Sequence, residues 1–243
     1  MPPRPLSSLL LGLFLLPLGC GAPQPPVAAA PSPSAAPGHG HDHGHHHHGD
    51  PLVHRFQKAE DWAKDFDDPA RDAWQRPADV IAAMRIEPGM TVADLGAGTG
   101  YFEPYLARAV GPKGRVLALD IEPDMVRYLK ERAAREQLTN VAPALVTGDD
   151  PKLPAGGVDR VLIVDTWHHI PERAAYAAKL RAALAPGGAV CIVDFTQESH
   201  RGPPPEHRVP KEQVIAELKG GGLTAEAIAE ELPDQFIVVG KRQ

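Results

Sequence analysis

The chain has 243 residues and a mass of 26.0 kDa, with 43% hydrophobic, 23% charged and 5% aromatic residues. That length holds one sizeable domain plus appendages, and the composition excludes a wholly disordered chain, a collagen and a polytopic membrane protein. A formal net charge of −6 offers no global attraction to phosphate backbones, so no nucleic-acid partner is expected.

Residues 1–20 (MPPRPLSSLLLGLFLLPLGC) place one positive charge, Arg4, ahead of an apolar run from Leu6 to Leu18. The run is short for a bilayer span and is broken by Pro17, which is the pattern of a secretory signal peptide over residues 1–19. Its end, Leu18-Gly19-Cys20-Gly21, resembles the lipobox of bacterial lipoproteins. That resemblance implies cleavage before Cys20, a lipid on the new N-terminus, and an exported protein anchored to a membrane of the cell envelope. Pro17 departs from the pattern, and an ordinary cleaved signal with an incidental Cys20 is the other reading. With Cys20 acylated, Cys191 has no partner for a disulfide and reads as a small core residue.

Residues 20–38 form a Pro/Ala-rich tether, too poor in apolar bulk to fold and biased towards extended conformations. Residues 39–50 form a His-rich tract with His39, His41, His43, His45, His46, His47 and His48. Imidazoles at this density chelate Zn, Ni or Cu ions from a flexible chain, although the spacing is not that of a structural metal site. A solvated spacer is the plainer alternative.

A globular pattern then begins, and residues 53–90 are expected to form an N-terminal helical lid. Residues 59–75 read as two short helices broken at Asp68-Pro69, with Trp62, Phe66 and Trp74 as anchors. A further helix opens at Pro77, proline being well placed in a first turn. Apolar runs at 91–95, 115–119, 142–146, 158–164 and 189–195 alternate with helical patterns at 102–110, 122–137 and 171–184. That alternation argues for an α/β fold with a parallel sheet and helices on both faces. Residues 235–241 read as a last strand, and 222–231 as a helix by propensity.

The first strand runs into Asp94-Leu95-Gly96-Ala97-Gly98-Thr99-Gly100. Glycines let the backbone turn tightly and approach a ligand. A dinucleotide fingerprint needs its third glycine at position 101, which is Tyr101. The acid ahead of the loop suits a ligand ammonium and would repel a pyrophosphate.

Here the chain, over roughly residues 75–241, resembles the class I S-adenosylmethionine-dependent methyltransferases. The resemblance implies a Rossmann-like seven-stranded sheet, mostly parallel with an antiparallel last strand, and a cofactor-binding domain over residues 91–243. It also wants a strand near 222–231, against local propensity. It puts Asp94, Gly96, Gly98 and Gly100 beneath the methionine part of S-adenosyl-L-methionine. Asp120, ending the second strand, would hold the ribose hydroxyls and Ile121 would pack on the adenine. In Thr147-Gly148-Asp149-Asp150 the adenine amino group falls to Asp149, with Asp150 the fallback. Asp165, ending the fourth strand, joins the cofactor-binding set, and Leu184-Ala185-Pro186-Gly187-Gly188 matches the family's turn before strand five.

Methyl transfer from a sulfonium is an in-line displacement, so the protein chiefly orients the nucleophile and excludes water. Candidate general bases are His168 and His169 after the fourth strand, and His200 and His207 after the fifth. His54, Arg55, Arg71, Trp74 and Gln75 are candidate pocket residues of the lid. The expected acceptor is a small molecule or a lipid-like one. A rival reading is an exported metal-handling lipoprotein whose methyltransferase-like domain binds the cofactor without catalysis. S-adenosylmethionine is made in the cytosol, so export raises a question of supply.

Overall fold

The computed structural model describes residues 56–229 and 232–243. The expected signal, Cys20, the tether and the His39–His48 tract lie outside those residues, as do His54 and Arg55. The strands are β1 (Thr91–Leu95), β2 (Arg115–Asp120), β3 (Val141–Leu145), β4 (Val158–Val164), β5 (Leu184–Phe195), β6 (Thr224–Ala227) and β7 (Gln235–Lys241). They form one seven-stranded sheet in the order β3-β2-β1-β4-β5-β7-β6. Only β7 runs antiparallel to its neighbours.

The helices are α1 (Ala59–Phe66), α2 (Asp72–Gln75), α3 (Pro77–Met84), α4 (Glu103–Val110), α5 (Pro123–Arg135), α6 (Arg173–Ala183) and α7 (Lys211–Gly220). Because successive strand residues point to opposite faces, runs such as Val161–Val164 and Val190–Val193 bury both ways and need helices above and below. On one face Val80 and Met84 of α3 and Leu106 and Val110 of α4 pack on Val92, Val116, Leu162 and Ile237. On the other, Tyr176 and Leu180 of α6 and Val214 and Leu218 of α7 cover Ala93, Leu119, Ile163 and Val238. Cys191 lies in the first of these cores, and burial pushes its thiol up to about 12.

Three local expectations change. The helix that propensity favours near 222–231 gives way to the strand that the resemblance implies: among the described residues Thr224–Ala227 pair with β7 from Thr224↔Lys241 to Ala227↔Val238. Ladder bonds and the burial of Ala225 override helix propensity there. The Leu184–Gly188 turn lies inside β5, not before it. Val158 pairs with Leu184 and Arg160 with Ala189, so residues 185–188 bulge out of the ladder, with Gly187 at φ +74°. Finally α3 does not lie over the cleft but packs into the core, which leaves α1 and α2 as the covering elements.

After β3 the chain crosses back over β2 and β1 to β4, so the strand order reverses between β1 and β4 at the middle of the sheet. The carboxyl ends of the strands flanking such a reversal form a crevice, the usual place for a ligand in open α/β sheets.

Candidate active site

Asp94 is the penultimate residue of β1 and Asp120 the last of the neighbouring β2, and the glycine loop follows β1. The Gly98 N–H donates to Asp120 Oδ2 at 2.8 Å and the Glu122 N–H to Oδ1 at 2.9 Å. Each Asp120 oxygen therefore keeps a lone pair for a further donor. Burial pushes the Asp120 carboxyl above its ordinary value, and those backbone donors partly restore it. Asp94 is only 3% exposed, and its carboxyl is pushed up to about 7. Burial is the main cause, followed by the Asp120 charge, with the Arg71 guanidinium pulling the other way.

Gly96 is held at φ +76°, and a Cβ there would come within 2.3 Å of Thr166 Oγ1. The loop and the turn after β4 meet at a distance that only glycine allows. Behind the loop, Glu103 opens α4 with both carboxyl oxygens buried and without a hydrogen-bond partner among the described residues. Burial first, and the neighbouring Asp94 second, hold it well above the ordinary carboxylate range.

The segment 56–75 lies across this loop. Asp67 Oδ1 accepts from Thr99 Oγ1 at 2.8 Å and from Arg132 Nη1 at 2.7 Å. The Ala59 N–H donates to Asp124 Oδ2 at 2.8 Å, and Glu60 pairs with Arg127 at 2.7 Å. The Phe66 ring rests 3.6 Å from where a Cβ on Gly98 would be. Phe56 meets His169 with ring centroids 5.9 Å apart.

At the ends of β4 and β7 four side chains close a ring. Arg71 donates to Gln75 Oε1 through Nε at 3.2 Å and Nη2 at 2.9 Å. Gln75 Nε2 donates to Gln235 Oε1 at 2.6 Å, and Gln235 Nε2 to Asp165 Oδ1 at 2.5 Å. Asp165 Oδ2 lies 3.8 Å from Arg71 Nη2. Asp165 sits at φ +51°, and burial pushes its carboxyl up to about 7 against the pull of Arg71. The Arg71 guanidinium lies over the Tyr101 ring at 4.2 Å.

Next to Asp165, Trp167 is fully buried and its Nε1 donates to Glu217 Oε2 at 2.8 Å. That anchor fixes the short 3-10 turn Trp167–His169 and points its neighbour at β5. His168 Nδ1 lies 3.0 and 3.1 Å from the two oxygens of Asp194. His169 is exposed, its ring centroid 4.1 Å from that of His168.

His200 and His207 are exposed on the loop after β5. Arg208 ties that loop from inside, donating to the carbonyls of Thr196, Gln197, Ser199, Arg201 and Pro203. Among the described residues no hydrogen bond or ion pair joins either histidine to the Asp165 ring. Asp149 and Asp150 are exposed in the turn after β3, and the Thr147 hydroxyl holds the Asp149 carboxyl below its ordinary value. Ile121, 53% exposed, stands beside Asp120.

The structure thus gathers Asp94, Asp120, the three glycines, Asp165 and His168 at one sheet edge. Asp194, Gln235, Asp67, Glu103 and Arg208 were not foreseen. Asp194 sits in an apolar strand run, where a lone acid is itself a signal; Gln235 and Asp67 have no local signature. The set suits a cationic nucleoside with vicinal hydroxyls: buried acids for the cation and the hydroxyls, an uncovered isoleucine for a ring, and glycines where side chains would intrude. Among the described residues no three His, Cys, Asp or Glu side chains are grouped to hold a metal ion, and no helix is long and apolar enough to cross a membrane.

Comparison with known proteins agrees with this chemistry. Residues 92–188 match the family described as "Methyltransferase domain". A crystal structure of a SAM dependent methyltransferase from Aquifex aeolicus is 30% identical, with a TM-score of 0.71, over 75% of this chain and 98% of that one. Nocamycin O-methyltransferase of Saccharothrix syringae is 33% identical over 144 residues, 59% of this chain and 48% of that protein. A ubiquinone/menaquinone biosynthesis C-methyltransferase of Burkholderia vietnamiensis is 32% identical over 127 residues, 51% of this chain and 50% of that protein. The chain spans about half the length of these two relatives. With the sheet order, the loop geometry and a relative matched over nearly its whole length, the chain belongs to the class I S-adenosylmethionine-dependent methyltransferases.

Proposed function

We propose that the chain transfers the methyl group of S-adenosylmethionine to a small-molecule or lipid-like acceptor. The observation that carries this reading is the pair of buried acids, Asp94 and Asp120, on either side of the glycine loop. When bound, the cofactor supplies an electrophilic methyl group on a positively charged sulfur. Asp94 would face its ammonium, Asp120 its ribose hydroxyls and Ile121 its adenine, with Asp149 or Asp150 at the adenine amino group. The strap of α1 and α2 would exclude water, and Asp165 would border the acceptor side. Among His168, His169, His200 and His207, His168 is the candidate base that an acid orients. The two relatives named above act on oxygen and on carbon, which favours an acceptor of either kind over an amine.

Titration of the full chain with S-adenosylmethionine and S-adenosylhomocysteine by calorimetry tests the reading. Saturable binding lost in Asp120→Ala is expected; no binding by the wild-type chain overturns it.

We further propose export and anchoring at Cys20, with the His39–His48 tract chelating Zn, Ni or Cu ions; the support is the sequence alone. Mass spectrometry of the native protein is expected to find residues 1–19 removed and lipid on Cys20. Calorimetry with these ions is expected to lose its signal when 39–48 are deleted. An intact, unlipidated N-terminus or an unchanged metal isotherm removes the corresponding part.

A further inference from the structure

We propose that Asp194 is a positioning residue that holds His168 with its proton on Nδ1 and its Nε2 free to take a proton from the acceptor, and that the acceptor group is a hydroxyl of phenol or enol type. The inference rests on the methyltransferase reading and names the acceptor chemistry of that site.

The geometry is specific. Asp194 is fully buried at the end of β5, and both its oxygens lie within 3.1 Å of His168 Nδ1. The Phe195 N–H donates to its Oδ1 at 2.9 Å, which fixes the carboxylate plane. An imidazole donating from Nδ1 to a carboxylate presents the lone pair of Nε2, and among the described residues Nε2 has no protein hydrogen-bond partner. The preceding residue, Trp167, is fully buried and bonded to Glu217, which fixes the turn that carries the ring. This is an orienter, a base and an unused acceptor atom, on the strand ends that border the acceptor side.

An unprotonated amine attacks through a lone pair it already has and sheds its proton to water afterwards; a hydroxyl must lose its proton as its oxygen becomes a nucleophile. The arrangement serves the second. The O–H proton passes to His168 Nε2 while the oxygen pair forms the bond to the methyl carbon. The pair of the breaking carbon–sulfur bond returns to sulfur, leaving a neutral thioether and an imidazolium that gives its proton to water.

The groups facing His168 are Asp194 from β5, Asp165 from the end of β4, Arg173 from α6 and the neighbouring His169 ring. Burial lowers its basicity, but the Asp194 hydrogen bond and the two acid charges outweigh burial and Arg173, so the imidazole titrates above its ordinary 6.5. The neutral, proton-accepting form therefore grows as the pH rises through a midpoint above that of free histidine.

The test uses the full chain, 15N-labelled on histidine and saturated with S-adenosylhomocysteine, with His168 assigned by the signal lost in His168→Gln. Expected are an Nδ1–H tautomer, a midpoint above that of free histidine, and at least a tenfold loss of proton affinity in Asp194→Asn. A His168 carrying its proton on Nε2, which the wild-type chain alone can reveal, overturns the proposal; so does an unchanged midpoint in a folded Asp194→Asn. S-adenosylhomocysteine affinity should stay within about twofold in both variants. If the wild-type chain binds no S-adenosylhomocysteine, the methyltransferase reading fails instead, a separate outcome. For the acceptor class the probe is 4-nitrophenol, expected to bind the complex as its phenolate at a pH where the free phenol is mostly neutral, and to lose that shift in His168→Gln. No binding, an unshifted titration, or tighter binding of 4-nitrobenzylamine overturns the hydroxyl assignment.

Discussion

At Asp94 the demands of the fold and of the ligand oppose each other. The folded chain holds this carboxyl at about 7 against 3.8 for the free side chain, chiefly by burial. An acid whose proton binds more tightly in the folded state stabilises the fold below its unfolded value. It loses that contribution as the pH climbs through 7, so the ligand-free protein is burdened at pH 8 by on the order of a few kcal/mol. Asp94→Asn should therefore raise the Tm of the ligand-free chain by several degrees at pH 8 and have little effect near pH 4. It should also weaken S-adenosylhomocysteine binding about tenfold or more. Scanning calorimetry at the two pH values and isothermal titration check both halves. Gly96 makes the converse case, since Gly96→Ala would press a methyl group into Thr166 and force a residue at φ +76°. The acid and the glycines were legible in the sequence because backbone conformation and local charge dictate them. Glu103 was not, because its burial is set by the loop folding over it.

At the scale of elements, the strand and helix order could be read because apolar runs long enough to be buried on both faces alternate with helical repeats. Two misreadings have local causes. The four residues of β6 are held by pairing with β7, a contact no local window contains, and the bulge at residues 185–188 is visible only against β4. Two segments carry predictions. Asp67 joins α1 to both Thr99 and Arg132. Asp67→Ala should loosen the strap and raise the dissociation rate of S-adenosylhomocysteine several-fold with a smaller change in fold stability; stopped-flow fluorescence from Trp62 reads it. Arg208 satisfies five carbonyls of the loop after β5. Arg208→Ala strands those acceptors, which should cost about 3 kcal/mol and speed amide exchange across residues 196–208, as hydrogen-exchange mass spectrometry would register.

For the whole molecule, composition divides the chain near residue 52, and every helix and strand among the described residues falls within 59–241. A chain starting at Val53 should keep the S-adenosylhomocysteine affinity and Tm of the full chain within error, by calorimetry of the two side by side. A loss would mean that the first fifty residues take part in the cleft. What composition could not reveal is that the cleft draws on both ends of the folded part: Gln75 and Gln235 touch across 160 positions of sequence.

That contact has a consequence for how the protein is made. Contacts across so long a stretch of chain form late, so the polar ring cannot assemble until the last strand has left the ribosome. The crossover strands β1 to β5 can pair earlier, but Asp165 and Arg71 remain without their glutamine bridge until β7 inserts between β5 and β6. A nascent chain is therefore a sheet without the finished ring around Asp165. Loss of residues after Asp234 at any stage, by nicking or truncation, should remove the ring, take Ile237 and Val238 out of the two cores and leave β6 without its partner, so that tertiary packing fails along with it.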